Sequence, residues 1–421
     1  MNSRKLTFID LFAGCGGLSL GIEKSGFFPL YVNELNSDAL ETYLMNREEE
    51  YPHLREERFH SHDIKDCIND SFFKNLKGNI KKKFGVDEVD LICGGPPCQG
   101  YSGIGHRRSY SVDKKQLPSN HLYQDMAYFI HKMQPKIFLF ENVKGLLSAR
   151  WTPKGQKGEI FEDVKNTFKK LEDYNIKFKL VYAKDYGVPQ NRPRILLVGI
   201  RKDVIDPSSE DDDAVINGFL PEGDGDYPHL IEIFSDIEDK KFQYGGETRI
   251  YPHNPKTVFQ TQLRTRPDGT IASKGEDITE HQYSNHTQRT RDKFQAMIDS
   301  EHGEIPKKFK TKKFAQRRLP KRWGNKGPTI TVTSLPDDFV HYSQARSLTV
   351  REWARIQTFP DWYQFAGKRT TGGIRRAGNP RKNIFDREVP KYTQIGNAVA
   401  VELAKRVGKH FKLILDGNTQ T

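Results

Sequence analysis

Cysteine is scarce in this chain: four among 421 residues, Cys15, Cys67, Cys93 and Cys98, all in the first quarter. Thiols so few and so clustered cannot make a disulfide framework over this length. Without a Cys-x-x-Cys pair, a structural zinc site, or any metal, is not expected. The cysteines read as reduced thiols. Long apolar runs are missing as well: no stretch approaches the roughly 20 apolar residues of a membrane span. The short run before Asp10 and Gly14 reads as a strand rather than a signal peptide, so a cytoplasmic protein is expected. Internal repeats and long low-complexity tracts are also absent, so a repeat architecture is not expected. What the chain does have is positive charge. Sixty-seven Lys and Arg against fifty-five Asp and Glu leave a net +12, a surplus that suits a polyanionic partner, although a merely soluble basic protein could carry it too. At 35% hydrophobic residues the chain reads as soluble and globular, and its length suits two domains.

The first 200 residues alternate strand-like and helix-like segments. Leu6–Leu11, Pro29–Asn33, Val89–Cys93, Ile137–Phe140 and Ile195–Ile200 read as strands. Helical spacing appears at Leu18, Leu20 and Ile22, at Leu122, Met126, Ile130 and Met133, and at Ile160, Val164, Phe168 and Leu171. Strand–helix alternation predicts an open, mostly parallel α/β sheet. Near residue 203 the character changes. Ser208–Tyr227 is acidic and Gly-rich, a linker or exposed loop by composition. Beyond it, to about 345, no steady period survives among many Thr, Pro, Gly and His, and irregular short strands are expected. Lys307–Arg322 concentrates nine basic residues with Phe309 and Phe314 interleaved and Trp323 following. The α/β character then returns: Thr349 and Glu352 have capping-box spacing, and the segment from Ile395 reads as a helix through Val399, Leu403, Val407 and Phe411.

Two loops carry chemistry. Asp10-Leu11-Phe12-Ala13-Gly14-Cys15-Gly16-Gly17 is a Gly-rich turn from strand into helix, where backbone can approach a ligand near a helix N-terminus. Glu34 ends the next strand, where a carboxylate can accept ribose hydroxyls. Together they suggest a nucleoside cofactor, and the pattern does not separate a dinucleotide from S-adenosylmethionine. The second loop, Gly94-Gly95-Pro96-Pro97-Cys98-Gln99-Gly100-Tyr101-Ser102, follows a strand and should lie at the carboxyl edge of the sheet. Its prolines stiffen it, and a thiol fixed there is poorly explained as packing. Cys93, ending an apolar run, fits an inert buried thiol.

These loops resemble those of the cytosine-5 DNA methyltransferases of bacterial restriction-modification type. Four further blocks match in the expected order: Glu141-Asn142-Val143, Gln190-Asn191-Arg192-Pro193-Arg194, Leu348–Pro360, and Gln394-Ile395-Gly396-Asn397-Ala398-Val399. They leave mainly 203–345 unmatched. The resemblance implies a Rossmann-like S-adenosylmethionine-dependent methyltransferase domain over 1–205, with a smaller, irregular target-recognition domain over 206–345. A hinge with part of the small domain over 346–384 and a C-terminal segment over 385–421 returning to the catalytic domain complete it. It implies Cys98 as the nucleophile at cytosine C6, Glu141 as the carboxyl at N3, and Arg192 and Arg194 holding the base carbonyl and neighbouring phosphates. The cofactor, S-adenosyl-L-methionine, would meet Phe12 at the adenine, Gly14 and Gly16 at the methionine moiety and Glu34 at the ribose. Asp63 and Ile64 would hold the adenine edge, Leu122 would line the site, and Asn397 and Val399 would close it. Gln99, Ser102, Gln190 and Thr331 are expected to bind substrate. Thr331 lies in Pro328-Thr329-Ile330-Thr331, which resembles the element ending family recognition domains. The sequence departs from the family at Leu35, where an aromatic is common, at Pro118-Ser119-Asn120, and at Val399-Ala400, where a proline is usual.

The expected partner is double-stranded DNA, with the target base extruded from the stack and the basic run on phosphates. A cognate restriction endonuclease reading the same sequence and a monomeric state are further expectations. Three other readings stay open. A transfer-RNA cytosine-5 methyltransferase would share the chemistry, but the recognition-like block of about 140 residues speaks against it. A catalytically silent DNA-binding relative would not need Cys98, Glu141 and Arg192 together. A dinucleotide oxidoreductase would more often show Gly-x-Gly-x-x-Gly, whereas Ser19 holds the last position here.

Overall fold

The computed structural model describes residues 5–97, 118–152, 154–205, 207, 209–310, 316–323, 329, 339–371 and 388–417. Strand β1 (Leu6–Leu11) is buried along its whole length, as a strand covered on both faces must be, and is apolar except at Thr7 and Asp10. It leads into α1 (Gly17–Lys24), β2 (Phe27–Asn33), α2 (Ser37–Met45), the short β3 (His60–Ser61) and α3 (Asp70–Phe84). Next come β4 (Leu91–Gly94), α4 (Leu122–Met133), β5 (Ile137–Val143), α5 (Glu159–Lys169), β6 (Tyr174–Tyr182) and β7 (Pro193–Arg201). The seven strands form one sheet in the order β3-β2-β1-β4-β5-β7-β6. The first five are parallel, and β7 inserts antiparallel between β5 and β6. The chain therefore winds outward from β1 in both directions, and β1/β4 is the switch point beside which open α/β sheets bind ligands.

The pleat divides the core. Along β5, Phe138 and Phe140 face a cluster built with α3, α4 and α5, while Ile137 and Leu139 face the opposite side. That opposite side is covered by α1 and by the C-terminal helix α11 (Val401–Leu415), through Leu403, Ala404, Val407 and Phe411. Gly17 and Gly21 permit the contact. A Cβ at Gly17 would sit 2.4 Å from Val399 O, and one at Gly21 would sit 2.5 Å from Val401 O.

Between sheet and C-terminus lie α6 (Leu230–Phe234), α7 (Val258–Arg264), α8 (Gln288–Asp299), a two-residue parallel pair of β8 (Arg317–Arg318) and β9 (Phe339–Val340), and α9 (Val350–Ile356). α10 (Lys391–Asn397) precedes α11. The missing hydrophobic period has a physical cause: much of this core is ionic. Arg346 grips Glu352 with two N–H donors at 2.8 and 2.6 Å, and Asp236 receives both Arg264 and Arg355. Burial keeps His281 and His341 neutral, pushing them down to about 4 and about 3. The Thr349/Glu352 capping box forms as its spacing predicts.

Two sequence readings need refinement, and some elements go unread. The segment read as a linker or exposed loop, Ser208–Tyr227, is irregular and much of it is exposed, but its first described residues cover the edge of β6. Phe178 exchanges backbone hydrogen bonds with Asp212 and Ala214, and Lys177 donates to Ser209 O and Asp211 O. The helix read continuously from Ile395 breaks at 398–400, because Gln357 takes the hydrogen bonds that would carry it through. Sequence reading also passes over β6, although Ile176, Phe178 and Leu180 alternate with Lys177 and Lys179 as in a half-buried strand, and over the apolar stripes of α2 and α3.

Candidate active site

The loops after β1, β2, β4 and β5 converge at the carboxyl edge of the sheet. The turn after β1 needs three left-handed residues: Phe12 (φ 58°), Gly14 (φ 56°) and Gly16 (φ 81°). For Phe12 that conformation costs roughly 1–2 kcal/mol, strain of the kind that gathers at ligand-binding sites. Ala13 N–H donates to Asn33 O and Gly16 N–H to Ala13 O, fixing the turn against the end of β2. Glu34 follows β2 directly. Its carboxylate accepts from Gly14 N–H and from Asn36 N–H, each at 2.8 Å. Burial raises the Glu34 carboxyl above its ordinary range, and those two N–H groups oppose the shift.

The two turn glycines differ. A Cβ on Gly16 would strike Arg47, Tyr363 and Tyr43 at 2.9 Å, whereas one on Gly14 would meet nothing within 4 Å. Gly14 therefore faces open space and Gly16 faces a packed floor. In that floor Arg47 pairs with Glu23 at 2.7 Å, stacks on Tyr43, and donates to Gly16 O and Tyr363 Oη, while Tyr363 Oη donates to Cys15 O at 2.6 Å. Sequence reading missed Arg47 and Tyr363. Only the Tyr43/Arg47 spacing of four residues hinted at the first.

The remaining residues expected at the cofactor are dispersed around this edge. Asp63 caps the 3₁₀ turn Ile64–Cys67 by accepting from Lys65 N–H, and Ile64 is buried. Asn33 ties this loop to β2 by donating to His62 O at 2.8 Å. Leu122 opens α4 and is half-buried. Asn397 is exposed at the end of α10, and Val399 is buried with its carbonyl against Gly17. Leu35, at the family's aromatic position, is 67% exposed beside Glu34.

On the other side of the switch point the chain can be followed to Pro97. Cys98, Gln99 and Ser102, like Thr331, lie outside the described residues. Glu141 and Arg194 are only 8% and 6% exposed, and they form an ion pair. The antiparallel register makes them diagonal neighbours, since Glu141 lies opposite Leu196 and Val143 opposite Arg194. A Cβ at Gly95 would come 2.7 Å from Glu141 Oε2, and Asn142 Nδ2 donates to Pro96 O at 3.2 Å. The loop that leads into Cys98 is thus pressed onto the Glu141 carboxylate and tethered by the next residue. Arg192 is buried and donates to Gly396 O. Gln190 is fully buried, and its amide donates to Gln357 Oε1 at 2.6 Å.

In the basic run Lys307, Lys308, Lys310, Arg317, Lys321 and Arg322 are exposed. Arg318 is not one of them in function: it donates to the carbonyls of Ile298, Ser300 and Glu301 and staples the end of α8. Trp323 is buried, its ring 4.2 Å from that of Tyr227. No described helix is long and apolar enough to cross a membrane.

Comparison with known proteins gives a consistent pattern. The family of C-5 cytosine-specific DNA methylases matches residues 6–413. The Type II methyltransferase M.DdeI of Desulfomicrobium norvegicum is 31% identical over 98% of this chain and 92% of its own length. M1.HphI of Haemophilus parahaemolyticus, also a Type II methyltransferase, is 28% identical over 96% of this chain and 86% of its own. Among solved structures, a candidate DNA modification methyltransferase encoded within an E. coli prophage aligns with a TM-score of 0.67. It shares 24% identity and covers 98% of this chain and 99% of that one, a likeness of fold.

Proposed function

Since this chain belongs to the C-5 cytosine-specific DNA methylases and is a DNA cytosine-5 methyltransferase, we propose that it methylates a flipped-out cytosine within a specific duplex sequence through a transient Cys98–C6 bond. The observation that carries this reading is the contact between Gly95 and Glu141: it brings the loop entering Cys98 against a buried carboxylate held by Arg194.

Cytosine C5 is a weak nucleophile while the ring is aromatic. The Cys98 thiolate adds to C6, and Glu141, sharing a proton with N3, draws electron density from C6 as it does so. C5 then has enamine character. Arg194 keeps the Glu141 carboxyl in place, and Arg192 fixes the strand entry beside it. Loss of the C5 proton and departure of the Cys98 thiolate restore the aromatic ring. When bound, S-adenosyl-L-methionine supplies a sulfonium-activated methyl group for C5. The residues present fit that molecule: Glu34 offers a half-buried carboxylate for ribose hydroxyls, the strained Phe12 turn an aromatic face, and Gly14 open space in which backbone can approach it. Asp63, Ile64, Leu122, Asn397 and Val399 complete the proposed contacts. Gly14→Ala tests the assignment. It should cost about 1 kcal/mol of stability from its left-handed φ and raise the Kd for S-adenosylhomocysteine roughly tenfold or more, because backbone approach is lost. An unchanged Kd by calorimetry would place the cofactor elsewhere.

We assign DNA reading to the block 206–345, including Thr331, with Gln99, Ser102 and Gln190 nearer the base, and phosphate contacts to the exposed lysines. Replacing Lys307, Lys308 and Lys321 by Gln should weaken binding to all duplexes alike and reduce the slope of log K against log salt by up to about 0.9 per residue. An unaltered slope removes the run from the interface. The names of the relatives support a Type II modification role; a cognate endonuclease sharing the site and a monomer acting on duplex DNA are part of the same proposal. Labelled methyl transfer to duplex DNA but not to transfer RNA is the expected result. Bisulfite sequencing of a host expressing the protein should then reveal the methylated sequence.

A further inference from the structure

The last turn and cap of α10 present carbonyls that their own helix cannot satisfy. Three of them are met from elsewhere in the chain. Gln357 Nε2 donates to Ile395 O at 2.8 Å and to Ala398 O at 3.1 Å, and the Arg192 guanidinium donates to Gly396 O between them. Gln357 Oε1 accepts from Gln190 Nε2 at 2.6 Å. Its backbone carbonyl accepts from Val401 N–H, the first of α11, at 3.0 Å. Gln190 and Gln357 are both fully buried.

A primary amide has two donor hydrogens and one carbonyl, and Gln357 uses all of them on two separate structures. One is the Gln190–Arg194 entry to β7, which presents Arg194 to Glu141. The other is the Ile395–Val399 segment, whose Asn397 and Val399 stand on the cofactor side. Arg192 makes a second link between the same two structures. The two segments therefore cannot shift independently without breaking hydrogen bonds of a buried amide or a helix-end carbonyl, an outcome of high cost in a dry interior.

We propose that Gln357 is a positioning residue that locks the Gln190–Arg194 segment to the Ile395–Val399 segment, so that cofactor binding and cytosine-side binding strengthen each other. The inference rests on the assignment of these two segments to base and cofactor given above. The coupling is reciprocal: DNA tightens cofactor binding by the same factor by which cofactor tightens DNA binding.

The test measures the Kd of S-adenosylhomocysteine with and without a duplex carrying the methylated site, in wild type, Gln357→Leu and Gln190→Leu/Gln357→Leu. Wild type should show a coupling ratio in the range of about 5- to 150-fold. Gln357→Leu takes a buried partner from the Gln190 amide and should melt at lower temperature, whereas the double variant removes both polar groups and should recover part of that loss. In both variants the ratio should fall towards one, and kcat should fall with it. A merely structural role predicts that the ratio returns with thermal stability, so a parental ratio in the double variant overturns the proposal. A wild type that methylates DNA but shows no coupling overturns it alone, whereas a wild type that transfers no methyl group to DNA overturns the parent assignment as well.

Discussion

Cys98→Ala should reduce methyl transfer by more than about 10⁴-fold, the scale on which loss of a covalent nucleophile costs an enzyme whose other groups act with it, while duplex and cofactor binding persist. The prediction is sharp because no other thiol stands ready. Cys15 is buried and pushed up to about 12, and Cys93 is raised well above its ordinary value by burial and by the neighbouring Asp10. Cys67 is also buried, and its thiol is raised by desolvation. A thiol that cannot ionise cannot attack. Wild type should form a denaturation-resistant adduct with duplexes carrying 5-fluorocytosine, whose fluorine blocks the elimination that frees the sulfur. The Cys98→Ala protein should form none. Methylation by that variant at the parental rate would remove the covalent mechanism.

Glu141→Gln should lower kcat by about 10²–10⁴-fold, the usual weight of general-acid assistance, with little change in KM for DNA. The substitution preserves shape and can still offer an oxygen to Arg194, so the fold around β5 and β7 should survive. What it loses is the carboxyl that shares a proton with N3. The adduct with 5-fluorocytosine should then form slowly rather than fail. This difference separates a residue that assists thiolate addition from one that merely supports the loop. If Glu141→Gln instead raised KM and left kcat intact, Glu141 would be a binding group and the proposed chemistry would need another acid.

Much of this was legible in the primary structure, for reasons that particular residues make plain. The buried parallel strands announce themselves as apolar runs because both faces are covered, so Leu6–Leu11 and Val89–Cys93 could be read directly, within two residues. The Gly-rich turn is legible because few residues other than glycine accept the φ values at Gly14 and Gly16. Family membership rests on ordered blocks of such locally constrained residues, and these survive divergence to 31% identity. The edge strand β6 carries the alternation of a half-buried strand at Ile176, Phe178 and Leu180, but where its lysines bond is explained only by a later part of the chain. Ser209 O and Asp211 O accept from Lys177 Nζ, and backbone from Asp212 to Ala214 pairs with Phe178.

The candidate site divides in the same way. Glu34 and Glu141 are visible in sequence because each ends an apolar strand, where a charged side chain has no packing reason to be. Arg47, Tyr363 and Gln357 carry no such local mark. Each acts on backbone far away in the chain, Arg47 on Gly16, Tyr363 on Cys15 and Gln357 on Ile395 and Ala398. Arg318 shows the converse: a phosphate contact is a natural reading of its neighbourhood, yet the structure puts its guanidinium on helix-end carbonyls.

By itself the sequence determined the α/β class, the family, and the residue types brought to the chemistry, because these depend on hydrophobic period, backbone conformation and short motifs that are properties of neighbouring residues. Only the tertiary structure decided the antiparallel insertion of β7, the pressing of Gly95 onto Glu141, and the break between α10 and α11. Those features depend on hydrogen bonds and close contacts between segments tens to hundreds of residues apart, and no local pattern specifies which buried donor will meet which carbonyl.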